Sequence, residues 1–365
     1  MTEPMTKPSL KSIGQPMRRA VSVSTEDLVH SESLPGGGNL PLVLKPAVPG
    51  VDLAAWAEGH REQLTKQLLA HGGLLFRGFP LSQVEEFERT FRSIAGDLLE
   101  YKERSSPRHA VAGKVYTSTD YPPDQPIFLH NENSYQNAWP MRIAFFSYKC
   151  ATRGGETPIA DTRRIFGRID PAIRQKFIDK KWTYVRNFGD GFGLPWREVF
   201  QTDDRAQVEA HCAKSGIQVE WKDGDRLRTR AVRPAVSRHP YTGELVWFNH
   251  ATFFNVSTMA PMVREALLDE FEIEDLPTHT YYGDGSPIEE EALDHLRACY
   301  DAETVKFLWE PGDLLMLDNM LASHGRSTFE GERKVLVAMA DPKSWSELAP
   351  VDGVAASVGA ASVHG

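Results

Sequence analysis

Hydrophobic and polar positions divide this chain into an opening of helical spacing and a long remainder of short, strand-like runs. In "VDLAAWAEGHREQLTKQLLAHGG" the positions Leu53, Trp56, His60, Leu64 and Leu68 recur at three- and four-residue intervals. This spacing predicts one helix over 52–72, opened near Asp52 and stopped by Gly72. "GLLFRGF" then predicts a buried strand. "SQVEEFERTFRSIAG" predicts a second helix, begun by Ser82 with Glu85 three residues on, the capping-box pattern.

From about Lys114 the texture changes. "KVYTST", "IFLHNENS", "RIAFFSYKC", "TYVRNFG", "AVRPAVSRH", "ELVWFN", "LLMLDN" and "KVLVAMA" are short, rich in β-formers and separated by Pro, Gly and Asp turns. Helical patterns interrupt them at "PAIRQKFIDKK", "DRAQVEAHCAKSG", "PMVREALLDEFEIEDL" and "EEEALDHLRACYDAETV". There is no fixed-period repeat and no linker that cuts the middle of the chain. The pattern predicts a mainly β single domain with packed helices, a barrel or jelly roll, over residues 41–343. Residues 1–40, which end in "LPGGGNLP", predict a flexible arm, and residues 344–365, with low-complexity "VAASVGAASVHG", a flexible tail.

Charge and composition narrow the partners. The 365 residues hold 41 Lys and Arg against 50 Asp and Glu, a formal charge of −9, which offers nothing basic to hold nucleic acid or an anionic membrane. A small molecule is the expected partner. No apolar run approaches the roughly 18 to 20 residues of a membrane span, and the N-terminus lacks the apolar region of a secretory signal. Cys150, Cys212 and Cys299 are far apart and odd in number, so neither a disulfide framework nor a thiolate metal site is expected. A reducing, cytoplasmic setting fits. Residues 4–24 are basic and free of acids, as a transit segment would be, but their prolines argue against an amphipathic helix.

The candidate chemistry begins at "FLHNENSY". In this strand-like stretch side chains alternate, so His130 and Glu132 share one face, Asn131 takes the other, and the pair can hold one metal ion. The pair alone is equally a hydrogen-bonded or solvated pair. A third ligand is available in "MLDNMLASHGR", where His324 follows an apolar strand and a turn at Asp318-Asn319. Two imidazoles and one carboxylate on one side of a metal leave roughly three positions open, the facial triad of non-haem Fe(II) oxygenases. Arg333 then gains a purpose, because a keto-acid cosubstrate such as 2-oxoglutarate needs its distal carboxylate held by a two-bonded guanidinium. Thr157, after the glycine turn of "RGGETPIAD", offers a hydroxyl to the same carboxylate.

On these residues the chain resembles the taurine dioxygenase and clavaminate synthase superfamily of Fe(II)/2-oxoglutarate oxygenases. Its texture, "YTSTDYP" through "FLHNENSYQNAWP", "GGETPIAD", "YVRNFGDGFGLPW", "WFNHATFF" and "MLDNMLASHGR", is similar to the syringomycin-type hydroxylases of nonribosomal peptide biosynthesis. The resemblance spans residues 40–343. It implies a double-stranded β-helix, a cupin-like jelly roll. It implies Fe(II) held by His130, Glu132 and His324, with 2-oxoglutarate on Arg333 and Thr157 and O2 as oxidant. The implied reaction hydroxylates, or otherwise oxidises, an unactivated C–H bond of an amino acid, free or carried on a peptidyl-carrier protein, in antibiotic biosynthesis. Related iron halogenases lack the carboxylate ligand, so Glu132 implies oxygen chemistry without halogenation. Val337 stands where taurine dioxygenase has a second arginine, so sulfonate binding is not implied.

Arg104, Ser118 and Asn249, near strand ends, are the candidate substrate contacts. His109, His239 and His250 are expected to be structural, and "NFGDGFGLPW" a loop beside the pocket rather than a phosphate cradle. Two other classes use the same ligands. A metal-binding sensor or structural cupin would keep the triad but has no use for Arg333 and Thr157. A zinc hydrolase would carry H-E-x-x-H on a helix, which is absent.

Overall fold

Period-two alternation fixes how the largest sheet is buried. Along Ala138–Lys149, Ile143 and Phe145 point to one face and Ala144 and Phe146 to the other, and all four are buried. The computed structural model describes residues 28–35, 38–100, 110–118, 121–189, 191 and 193–351. Eight strands make this sheet in the order Val29–Ser33, Leu42–Pro46, Gly73–Phe76, Leu314–Asp318, Ala138–Lys149, Lys334–Ser344, Val115–Thr117 and Ala110–Ala112. Its outer face packs with Leu64, Leu68, Phe87, Phe91 and Ile94 of the opening helices. Its inner face, with Ile143, Phe145, Leu315, Leu317, Val335 and Val337, meets Ile159 and Ala322 of a second sheet. That sheet runs Thr304–Val305, Ile159–Asp161, Ala322–Arg326 and Ile127–His130. Two facing, mainly antiparallel sheets wrapped by helices are the expected jelly roll.

Between the second-sheet strands Ile159–Asp161 and Thr304–Val305 the chain builds a further lobe. Its sheet is ordered Ile217–Trp221, Leu227–Arg233, Trp182–Phe188 and Thr278–Tyr282. Tyr184 of this sheet, with Tyr135 and Ala251, belongs to the apolar cluster that joins the lobe to Leu129 of the second sheet. The lobe therefore ends beside the strand that carries His130.

Several sequence expectations shift. The helix expected over 52–72 is two, Leu53–Gly59 and Arg61–His71, broken at His60, which follows the poor helix former Gly59. Asp52 caps the first through the Ala55 N–H, and Gly72 closes the second at φ 77°. The capping box sits one residue later than expected, with Glu86 accepting from the N–H groups of Gln83 and Ser82. The arm expected over residues 1–40 contains the edge strand Val29–Ser33, paired with Leu42–Pro46. At the other end the tail expected from 344 begins with a short helical turn, Trp345–Glu347, whose Trp345 packs on Trp139 and Phe248. No helix among the described residues is long and apolar enough to cross a membrane.

Candidate active site

Strand pairing brings the two histidines together. His130 ends its strand and lies directly opposite His324 in Ala322–Arg326, so both imidazoles leave the same face, 4.5 Å apart between ring centres. Gly325 permits this approach, since a Cβ there would stand 2.6 Å from the Ile127 carbonyl oxygen. The Nδ1–H of His130 donates to the Phe128 carbonyl at 2.9 Å, which fixes the tautomer and leaves Nε2 as the coordinating atom.

Glu132 reaches the same point by a different route from the one its spacing suggested. The strand stops at His130, and residues 132–135 form a turn with Asn133 at φ 57°. Strand alternation therefore does not place Glu132; Asn319 holds its backbone instead. The Asn319 side chain accepts from the Glu132 N–H at 2.8 Å and donates to the Glu132 and Pro140 carbonyls at 2.9 Å each. Asn131 donates back to the Asn319 carbonyl at 2.7 Å. Asn319 is held in turn, because the Asp318 carboxylate caps the N–H groups of Met320 and Leu321 and accepts from His239 Nε2 at 3.1 Å. His239 Nδ1 accepts from the backbone of Tyr241 and Thr242, so Nε2 carries the hydrogen. His239 is thus structural, as expected. Its place behind the Asp318-Asn319 turn was not visible in sequence.

The three candidate ligands offer atoms that all lie within 4.8 Å of one another. Glu132 and His324 are 3 % and 4 % exposed, and His324 Nε2 stands 3.8 Å from the Glu132 carboxylate. Among the described residues neither ring nitrogen of His324 makes a hydrogen bond, and Nδ1 is fully buried. A buried carboxylate beside imidazoles with lone pairs to give is a donor set that a divalent cation satisfies, and its two-His, one-carboxylate composition fits Fe(II). Phe145 lies 4.9 Å from the His324 ring and Phe253 4.7 Å from that of His130, so apolar rings shield the ligands.

Arg333 and Thr157 also meet. Arg333 donates Nε–H to the Gly155 carbonyl at 2.8 Å and reaches Thr157 Oγ1 at 3.4 Å. Gly155, at φ 76°, leaves room for it, since a Cβ would stand 3.0 Å from Arg333 Cδ. Trp309 Nε1 donates to the same Thr157 oxygen at 3.2 Å, a contact the sequence did not signal. Among the described residues Arg333 has no carboxylate partner. Burial, reinforced by the charge of Arg326, pushes its guanidinium down to about 10, so it remains charged at neutral pH. Arg326 itself is committed to the carbonyls of Tyr121, Pro122 and Gln125. Val337 is buried between the sheets.

The candidate substrate contacts fare differently. The Asn249 amide donates to the Ala235 carbonyl and accepts from the Ala251 N–H, so two of its hydrogen bonds are spent closing a turn. Ser118 is half-buried at the end of Val115–Thr117, its N–H bonded to the Val335 carbonyl. Arg104 and His109 lie outside the described residues. His250, expected to be structural, instead stands 5.4 Å from the His130 ring, with Nδ1 2.6 Å from Ser134 Oγ. Its burial holds it well below the usual histidine range. Phe254 stacks on His250 and on Tyr184, at 4.8 and 4.3 Å. "NHATFF" and "TYVRNF" thus supply an aromatic wall, which their apolar character signalled only as core.

The chain is similar to several known proteins. The chain is 43% identical over 271 residues to the dapdiamide synthesis protein DdaC of Enterobacter agglomerans, covering 74% of this chain and 82% of that one. It is 27% identical over 328 residues to a clavaminate synthase-like protein of Arabidopsis thaliana, covering 85% and 95%. In fold it is similar to PvcB of Pseudomonas aeruginosa, described as an Fe, alpha-ketoglutarate dependent oxygenase from an isonitrile synthetic pathway, with TM-score 0.51, 17% identity and 89% and 94% of the two chains covered. The family described as taurine catabolism dioxygenase TauD, TfdA family matches residues 38–339, a span that includes both sheets' central strands and His130, Glu132, Thr157, His324 and Arg333. The chain therefore belongs to the TauD/TfdA family of dioxygenases.

Proposed function

We propose that this dioxygenase uses Fe(II), 2-oxoglutarate and O2 to hydroxylate, or otherwise oxidise, an unactivated C–H bond of an amino-acid-type substrate in natural-product biosynthesis. His130, Glu132 and His324 would hold the iron, which together with 2-oxoglutarate supplies the activation of O2. The chain's own residues set the conditions. Asn319 orients Glu132, and the Phe128 carbonyl orients His130. Arg333, with the Thr157 hydroxyl, binds the distal carboxylate of the cosubstrate in a two-bond fork. Phe145 and Phe253 exclude water from the ligands, so the substrate bond held nearest the metal reacts. Glu132 fills the coordination place that a halide would need, which favours oxygen chemistry.

The observation that carries this reading is the half-buried Arg333, which pairs with no carboxylate among the described residues and meets Thr157 in the same protein as the buried triad. A metal-binding sensor would have no use for that cation. Similarity to a dapdiamide synthesis protein supports a biosynthetic role and an amino-acid-type substrate, free or tethered to a peptidyl carrier. A cytoplasmic setting is in keeping with three cysteines far apart in the sequence. The test is anaerobic addition of Fe(II) and 2-oxoglutarate. A visible charge-transfer band that needs both, followed by succinate formation in air, is expected; a protein that binds iron but gives neither is a sensor or structural cupin.

A further inference from the structure

A second cation near the aromatic wall has no counter-charge among the described residues. Arg186 lies in Trp182–Phe188 on the same face as Tyr184 and Phe188, its guanidinium carbon 5.9 Å and 4.7 Å from their rings. It is half-buried, yet among the described residues it makes no ion pair and no hydrogen bond. Other arginines of this sheet are engaged: Arg228 with Asp275 and Asn187, Arg230 with Glu220, and Arg233 with backbone carbonyls. Beside Arg186, Tyr184 is 4 % exposed and its hydroxyl has no hydrogen-bond partner among the described residues.

Arg186 and Tyr184 line a cavity of about 40 Å³ together with Tyr135, Gln136 and Thr229. About 10 to 15 Å³ on this measure admits one water, so the space suits a group of carboxylate size. Ring contacts run from two of its lining residues to a metal ligand. Tyr135 and Tyr184 both touch Phe254, Phe254 stacks on His250, and His250 touches His130. Arg333 is separate, its partners being Gly155, Thr157 and Phe329.

We propose that Arg186 and Tyr184 form a carboxylate-binding subsite for the organic substrate, at the end of the aromatic wall away from the metal ligands. This rests on the oxygenase reading above and deepens it. The guanidinium supplies the charge and the two-bond fork, and the phenol a third donor. Tyr184, Phe254 and His250 stand between Arg186 and His130, so the anchored carboxylate is not the one adjoining the carbon that reacts. The substrate class is a carboxylate several bonds longer than a single α-amino acid.

Propionate and propionamide test this without knowledge of the substrate. Each is titrated anaerobically, by ligand-observed NMR, into protein loaded with Fe(II) and saturating 2-oxoglutarate, so that Arg333 is occupied. Saturable binding of propionate and none of propionamide is expected, with at least about a tenfold loss in Arg186→Gln and partial recovery in Arg186→Lys, as for loss of a charge-assisted bond. Tyr184→Phe, which keeps the ring packing, should weaken propionate about threefold or more and decides the matter if the arginine variants do not fold. Absence of saturation in the wild-type protein, equal binding of propionamide, or undiminished binding in Arg186→Gln or Tyr184→Phe overturns the subsite. Inorganic phosphate binding more tightly than propionate overturns the carboxylate assignment in favour of the phosphate of a carrier arm. The charge-transfer band keeps the two readings apart: if it never forms in the wild-type protein the oxygenase reading fails, whereas a normal band with no propionate binding removes the subsite alone.

Discussion

Replacing Asn319 by Ala should disable the metal site without touching a ligand. The change removes the acceptor for the buried Glu132 N–H and the donor to the Glu132 and Pro140 carbonyls, while the Asn319 backbone carbonyl that binds Asn131 survives. A buried N–H left unsatisfied costs about 1 to 3 kcal/mol, and each carbonyl, which keeps a second lone pair, about 0.5 to 1.5. The expected loss is roughly 2 to 6 kcal/mol, a large part of the about 5 to 15 kcal/mol that holds a folded protein together. Metal affinity should fall about 10- to 100-fold, the usual effect of removing a group that orients a ligand. Urea denaturation of the metal-free protein reads the first effect, and anaerobic calorimetric titration with Fe(II) reads the second. Asn319→Asp, which keeps an acceptor for the Glu132 N–H but no donor, should fall between the two. A folded Asn319→Ala protein with wild-type iron affinity would refute the claim that this amide positions Glu132.

His130→Ala and His324→Ala should each lose iron binding and succinate formation together, read by metal analysis and coupled assay; near-normal activity in either would remove that residue from the ligand set. Arg333→Lys should raise the 2-oxoglutarate requirement at least about tenfold, since a point charge replaces a fork worth about 1.5 to 3 kcal/mol per charged bond. Because Arg333 is held at about 10 when its site is empty, 2-oxoglutarate affinity should be flat from neutral pH and weaken only as pH rises through that value, where the cation is lost; a titration of affinity against pH checks the sign. Bound carboxylate favours the charged form, so binding above that pH should take up protons. Products formed by the wild-type protein in chloride-rich buffer should carry oxygen and no chlorine by mass spectrometry, and a chlorinated product would mean that Glu132 is not a ligand.

Local pattern sufficed for much of this protein. Unbroken apolar runs in "RIAFFSYKC" and "KVLVAMA" mark strands buried on both faces, and the order of H-x-E, G-G-E-T-P, D-N, H-G-R and the later arginine marks a family, because each residue's chemistry is carried in its type and spacing. Helix ends were less legible: His60 breaks a run whose apolar period passes straight through it, since hydrophobic spacing says nothing of a backbone kink. The site shows the division most sharply. Sequence placed His130 and Glu132 on one strand, but the strand ends between them, and only the fold, by bringing Asn319 across 187 residues, holds the Glu132 backbone in place. In the same way Asn249 looked available, but the fold ties its amide to Ala235 and Ala251, whereas Arg186, which nothing in the sequence singled out, has no counter-charge among the described residues and stands beside Tyr184. What a residue can do is written in its side chain, and the sequence determines that. Which of its hydrogen bonds and charges are already satisfied depends on partners distant in the chain, and tertiary packing alone decides it.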